Sequence, residues 1–289
     1  MAIVATVRGS VAGCASMGLS SCATFGHNVA VRDGWDPDQY NRFKAERRQP
    51  FDDLVALCRP LEGGTAVDLG CGTGELTAQL HGILQARRTT GIDTSAAMLA
   101  QAAGRAAGGL GFERGNLAAW DGPAVDLVFA NASFHWVPDH RGLLARVRRG
   151  VNEGGQLAFG IPANFSHPSH TVARAVAAET RFKDALGGAP ERDQGANVLG
   201  AAAYAELLHA LGASEQHVRL EVYGHELAST DEVVEWVKGT LLTPYRERLD
   251  EATFAAYLER YRERLLDALG EHRPYFYAFP RILAWARFG

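Results

Sequence analysis

The sequence predicts an α/β fold, a parallel sheet with helices on both faces. Short apolar runs fall at residues 65–69, 89–93, 125–130 and 155–160, each of a length suited to a buried strand. Segments with apolar residues at helical spacing separate them, as Leu76, Leu80 and Ile83 do after the first run. The chain has 289 residues, 47% hydrophobic and 21% charged, which suits a large globular domain and excludes fibrous or wholly disordered classes.

Residues 1–34 stand apart. Their only charges are Arg8, Arg32 and Asp33, and the remainder lacks any period. A disordered tail is expected, with a targeting peptide or a start codon upstream of the true one (Met17 being a later candidate) as alternatives. The domain proper is expected over 35–289. Asp36 can cap a first helix with Pro37 in its first turn, Tyr40 and Phe43 share a face of it, and Pro50 is expected to open a second helix carrying Phe51, Leu54 and Val55.

After the first strand, Gly70-Cys71-Gly72-Thr73-Gly74 leads into a helix. The second strand ends at Asp93, and Ser95 caps the helix bearing Met98 and Leu99. A weak third strand is expected at 111–113. The fourth and fifth follow at 125–130 and 155–160. In the second half, 202–211 reads as an amphipathic helix ending at Gly212, 217–227 as a half-exposed strand, and 231–242 and 246–269 as helices. A last strand is expected at 280–288.

The chemistry begins at the glycine turn. Asp68 ends the first strand, and Gly70, Gly72 and Gly74 leave room for a ligand lying across the strand ends. Asp93 lies 23 residues after Gly70, where a carboxylate can accept hydrogen bonds from both hydroxyls of a ribose. Position 75 is Glu, so the third glycine of the dinucleotide fingerprint is missing, and no Walker lysine follows. A nucleoside without a pyrophosphate fits, and S-adenosylmethionine (SAM) is such a ligand. Asp68 can equally be a structural capping residue. Met98 can cover an adenine face or be core packing, and Asn116, before Leu117, can bond the adenine edge or form a turn.

The fourth strand leaves the sheet into Asn131-Ala132-Ser133-Phe134-His135-Trp136. Ligands of open sheets sit outside the carboxyl ends of strands, so Asn131 and Ala132 are expected beside SAM, and His135 and Trp136 along the transfer cleft. A histidine among aromatics can also be a packed residue.

These stretches resemble the bacterial trans-aconitate methyltransferases, within the class I SAM-dependent methyltransferases. The matching segments are WDPDQYNRFKAERRQP (35–50), VDLGCGTGELT (67–77), TGIDTSAAML (90–99), DLVFANASFHWVPDH (126–140), EWVKGTLLTPY (235–245) and AFPRILAWA (278–286). The resemblance implies a Rossmann-like seven-stranded sheet with an antiparallel last strand and a helical lid built from residues 36–60 and 229–272. It also implies esterification of a carboxylate on a small organic acid, with SAM held by Gly70, Gly72, Asp93, Met98, Asn116 and Asn131. Tyr40 and Arg48 would reach the cofactor or substrate from the first lid segment. The chain departs from the family pattern at Thr73, Glu75 and Asn116, and at Ala163 on the substrate side.

A carboxylate acceptor is already ionised at neutral pH, so transfer needs alignment and water exclusion rather than a general base. Arg48, Lys238, Tyr245, Arg246 and Arg281 are the candidates to hold the acid, each of them equally readable as a solvated helix-face group. His135 is the candidate for positioning, or for a base if the acceptor is a phenol, amine or carbon acid. Two further acceptors are open: an acyl-carrier-protein carboxylate docking on Arg146, Arg148 and Arg149, or a hydrophobic acid against the cap aromatics. A SAM-binding protein without catalysis is the remaining reading.

The net charge is −4, which disfavours a nucleic-acid partner, and no apolar run is long enough to span a membrane. Cys14, Cys22, Cys58 and Cys71 lack metal-ligand or disulfide-framework spacing, so no metal is expected and a reducing, cytoplasmic setting is. A monomer is expected.

Overall fold

Alternation along the strands sorts the apolar residues onto two faces of one sheet. The computed structural model describes residues 44–188 and 194–289. The tail, the first helix with Tyr40, and the rest of the expected lid segment before residue 44 lie outside the described residues. The strands are β1 (Thr65–Leu69), β2 (Arg88–Asp93), β3 (Leu110–Arg114), β4 (Val125–Asn131), β5 (Val151–Pro162), β6 (Ala213–Leu227) and β7 (Tyr275–Phe288). Their order is β3-β2-β1-β4-β5-β7-β6. β1 to β5 pair in parallel, and β7 runs antiparallel between β5 and β6. β1 has β2 on one side and β4 on the other, so the crevice where strand order reverses opens at the carboxyl ends of β1 and β4.

The helices are α1 (Lys44–Val55), α2 (Glu75–Ile83), α3 (Ala96–Ala102), α4 (His140–Arg149), α5 (Pro168–Ala177), α6 (Thr180–Ala185), α7 (Gln194–Asn197), α8 (Ala201–Ala210), α9 (Glu232–Lys238), α10 (Thr243–Arg248) and α11 (Glu251–Leu269). Val67, Leu69, Val128 and Leu157 point to one sheet face and pack with Leu143, Leu144 and Val147 of α4 and Tyr204 and Leu208 of α8. Their strand neighbours Ala66, Leu127, Phe129 and Ala158 point to the other face and meet Phe51 and Leu54 of α1 and Leu80 of α2. A further core joins α5, α6, α9, α10 and α11 to the start of β7, with Tyr257 and Tyr261 fully buried.

Several elements differ from expectation. Pro50 does not open a helix: α1 already runs from Lys44 and Pro50 lies inside it, buried together with Phe51, Leu54 and Val55. The helix expected at 231–242 ends at Lys238, because Pro244 favours the first turn of a new helix, α10. The helix expected from 246 begins at Glu251, where Asp250 accepts the Thr253 N–H at 2.9 Å. Helices α4 to α7 were not anticipated as separate elements. The caps at Ser95, which accepts the Met98 N–H at 3.2 Å, and at Gly212, with φ +88°, are as expected.

Gly70 shows what the turn after β1 demands. Its φ is +88°, and a Cβ there would stand 2.3 Å from the Ser133 Cβ. Gly72, at φ +55°, has open space where a Cβ would go. Gly70→Ala is therefore expected to destabilise the protein by about 2–4 kcal/mol, read as a lowered thermal midpoint, and Gly72→Ala by about 1 kcal/mol. Equal losses in the two variants would contradict this division of roles.

Candidate active site

Two cavities meet at the carboxyl edge of the sheet. The larger, about 460 Å³, is lined by the β1 turn (Gly70, Gly72), the end of β2 (Asp93, Thr94), Met98 of α3, and Asn116 and Leu117 after β3. Thr243, Pro244 and Glu247 of α10 close its rim. The smaller, about 80 Å³, lies between β5, β7 and α9, and holds His135, Asn164, His170 and Arg281 among aromatic walls of Phe165, Trp236, Tyr277 and Phe279. Asn131, Ala132 and Trp136 line both. They form the seam between the cavities.

Each wall of the larger cavity has a local cause. Asp93 accepts the Gly72 N–H and the Ser95 N–H, both at 2.9 Å, one on each carboxylate oxygen. The carboxylate is thereby fixed beside the glycine turn, and each oxygen retains a lone pair for a further donor. Asn116 accepts the Ala118 N–H at 2.9 Å through its Oδ1 and caps the turn beginning at Leu117. Met98 is buried at the cavity wall. Ala132 has φ +56°, a strained conformation for a residue with a side chain, and donates its N–H to the Gly160 carbonyl at 2.8 Å. This turns the chain off β4 at the seam. The Oδ1 of Asn131 is buried there without a hydrogen-bond partner.

Asp68 is not brought to either cavity. It is buried beneath the turn, accepting the Thr77 hydroxyl at 2.6 Å, and burial pushes its pKa up to about 7. A cofactor contact is thus replaced by a structural bond between β1 and α2.

Of the residues named for the substrate that are described, Arg281 alone lines the smaller cavity. It is 6% exposed, on β7 opposite Pro162 of β5, with its guanidinium 5.0 Å from the Phe279 ring centre. Arg48 is exposed and pairs with Asp52 at 3.1 Å, and Lys238 pairs with Glu235 one turn away. Tyr245 is buried under α11, stacked 4.6 Å from Tyr257. Arg246 is exposed and lines neither cavity. Tyr40 lies outside the described residues. Sequence reasoning missed Asn164 and His170 as cavity residues.

Burial, then the Arg281 charge, push the pKa of His135 down to about 3, so the ring is neutral at physiological pH. A ring that stays neutral suits positioning better than the base role named for other acceptors. Burial likewise lowers His167 to about 4. Between pH 4 and 6.5 the unfolded chain protonates both rings while the folded chain does not, so these groups make stability rise with pH. Asp68 acts in the opposite sense, holding a proton when folded that the unfolded chain releases. These three groups together give a gain of about 1 kcal/mol per pH unit across that window, to which His140, also lowered by burial, adds in the same sense; urea unfolding measures it, and a steeper gain is expected in Asp68→Asn. A flat profile in both proteins would refute the assignment.

Among the described residues no group of His, Cys, Asp or Glu is arranged to hold a metal ion, and no helix is long and apolar enough to cross a membrane.

A family model described as a methyltransferase domain matches residues 66–155. With the sheet order and the cavity over the β1 turn, it defines a class I SAM-dependent methyltransferase, an enzyme whose cofactor is SAM. The trans-aconitate 2-methyltransferase of Deinococcus radiodurans is 43% identical over 257 residues, spanning 86% of this chain and 96% of the relative. That of Paracidovorax citrulli is 40% identical over 259 residues, spanning 88% and 98%. The chain belongs to the trans-aconitate 2-methyltransferase family. Among solved structures, the YcgJ protein of Bacillus subtilis aligns with a TM-score of 0.55 at 12% identity, over 83% of this chain and 98% of that one, a likeness of fold.

Proposed function

We propose that this chain methylates a carboxylate oxygen of a small polycarboxylic acid, trans-aconitate being the first candidate, and that the acid binds in the smaller cavity. The observation that carries the reading is a buried arginine, Arg281, in a chamber joined to the cofactor cavity at the seam of Asn131, Ala132 and Trp136. Relatives at 43% and 40% identity bear the name trans-aconitate 2-methyltransferase, which supports the choice of acid.

The residues present suit SAM. Asp93 would accept both ribose hydroxyls on its remaining lone pairs, while Met98, Leu117 and the Asn116 amide would hold the adenine. Gly70, Gly72 and Ala132 would lie along the nucleoside and the methionine part. The partnerless Oδ1 of Asn131 would take a donor such as the methionine ammonium. When bound, SAM supplies an electrophilic methyl group on a sulfonium whose leaving group is a neutral thioether.

The protein's part is then to align and to dry. Arg281 would hold the acceptor carboxylate by paired charge-assisted hydrogen bonds. Phe165, Trp236 and Phe279 would exclude the water that would otherwise solvate the nucleophile, and neutral His135 would direct the acid without taking a proton. Helices α9 to α11, within the expected lid segment 229–272, would serve as the cover, since Trp236, Thr240 and Leu241 line the smaller cavity and Thr243 the larger. The pocket's aromatic walls keep a more hydrophobic acid as the second reading. The carrier-protein reading is weakened because Arg146 and Arg148 each donate to a backbone carbonyl, of Ala118 and Val151. A reducing, cytoplasmic setting accords with the free thiols of Cys58 and Cys71.

The test is methyl transfer from labelled SAM across a panel of mono-, di- and tricarboxylic acids and long-chain acids. The expected product is alkali-labile, as a carboxyl ester is, and forms fastest from trans-aconitate. SAM binding with no turnover on any acid would defeat the proposal in favour of a protein that only binds the cofactor.

A further inference from the structure

We propose that Asn164 is a specificity-determining residue that accepts a hydrogen bond from the acceptor acid. The site would then favour acids that bring a donor beside the reacting carboxylate, either a hydroxyl or an un-ionised second carboxyl. This rests on the smaller cavity being the acceptor site.

His167 sets the direction of a chain of hydrogen bonds leading to that cavity. The backbone N–H of Ser169 donates to His167 Nδ1 at 3.1 Å, so that nitrogen is an acceptor. Ser169 Oγ lies 2.9 Å from the same nitrogen. Two lone pairs cannot face each other at that distance, so the hydroxyl proton points to His167. With its one proton committed, Oγ accepts from its other neighbours, His170 Nδ1 at 3.1 Å and the Tyr277 hydroxyl at 3.4 Å. The Tyr277 phenol is therefore the donor to Ser169, and its oxygen accepts the Asn164 Nδ2–H at 3.2 Å.

This polarity orients the carboxamide. Its nitrogen faces Tyr277, and its Oδ1 is buried without a hydrogen-bond partner, on a residue 3% exposed that lines the cavity. A buried acceptor left unmet is costly. An ionised carboxylate cannot meet it, because it too only accepts. Arg281, in the same cavity, takes the carboxylate, and Asn164 takes a donor. A ligand that satisfies both carries both groups.

The titratable and charged groups around Asn164 are His135 after β4, His167 and His170 at α5, and Tyr277 and Arg281 on β7; no Asp or Glu lines this cavity among the described residues. His135 and His167 stay neutral and Tyr277 stays protonated between pH 6 and 8. His170→Asn is the control for a proton taken up by the protein in place of the acid.

The experiment is calorimetry on the full chain saturated with S-adenosylhomocysteine, so the readout does not depend on turnover. One arm compares acids differing by a single hydroxyl, malate with succinate and citrate with tricarballylate, at pH 8. The other follows trans-aconitate from pH 8 to pH 6, in the wild type and in His170→Asn. The expected result is at least tenfold tighter binding of the hydroxyl-bearing member, or at least tenfold tighter trans-aconitate binding at pH 6 that persists in His170→Asn. Asn164→Leu is expected to bring the difference within twofold. Tyr277→Phe is expected to do the same by releasing the carboxamide, and serves where the leucine variant fails to fold. Neither preference in the wild type, including no measurable binding of any acid, would overturn the proposal, as would a preference that survives both substitutions. Methylation of trans-aconitate without donor preference overturns this inference alone, whereas donor-dependent binding without turnover overturns only the transfer reading.

Discussion

Asp93→Ala is expected to weaken S-adenosylhomocysteine binding by at least a hundredfold while leaving the sheet folded. Each carboxylate oxygen is held by one backbone N–H, from Gly72 or Ser95. The carboxylate thus arrives oriented, with no side-chain freedom left to lose on binding. Two charge-assisted hydrogen bonds to ribose hydroxyls contribute about 1.5–3 kcal/mol each, or about two to four orders of magnitude in Kd together. Loss of the Gly72 tether adds to the effect, because the turn with φ +55° then lacks its anchor. Asp93→Asn separates the contributions. Its amide can accept one of the two backbone N–H groups but turns a donor toward the other, so an intermediate loss is expected. Calorimetry gives the affinities and thermal unfolding the fold. An alanine variant binding within fivefold of the wild type would remove Asp93 from the nucleoside site.

That carboxylate was legible in the sequence because its signals are local. A strand end, a glycine turn and a second strand end lie within one stretch of chain, and the register of β1 against β2 places Asp68 beside Gly91, two residues short of Asp93. Asp68 shows the limit. By that register Asp68 shares a sheet face with Asp93, so alternation does not separate the two acids; Asp68 sits beneath the glycine turn, where its carboxylate meets Thr77 of the α2 helix. The acid-binding candidates were harder still. Arg48 with Asp52 at i+4 and Lys238 with Glu235 at i−3 sit at helical pairing distances, a signal present in the sequence that marks them as surface pairs. Arg281 carries no such mark. It becomes buried only because β7 inserts antiparallel between β5 and β6, a long-range pairing that places it against Pro162. Asn164 at β5's exit and His170 in α5 are close in the chain, but Tyr277 of β7 joins them from 113 residues beyond Asn164. His167 as cap with Pro168 in the first turn was the one local sign that a helix began there.

Arg281→Met is expected to lower kcat/KM for the acid by about a thousandfold with S-adenosylhomocysteine affinity unchanged. Methionine keeps much of the length and the contact with Phe279 but removes the charge. A carboxylate entering an aromatic chamber without a cation bears its desolvation alone, and breaking a buried ion pair costs about 3–5 kcal/mol. Arg281→Lys keeps the charge as a compact, strongly hydrated ammonium and loses the planar two-point grip, so a smaller loss of about tenfold to a hundredfold is expected. The site contains its own reporter. Arg281 is the largest contributor after burial to the low pKa of His135, so the methionine variant should raise that pKa without restoring the ordinary 6.5, since burial remains. Proton NMR of the imidazole follows this shift in the absence of any acid. A rise in the His135 pKa together with lost acid turnover places the guanidinium charge between the ring and the acceptor. A rise with full turnover would mean that the acid is held elsewhere, and the smaller cavity would no longer be the acceptor site.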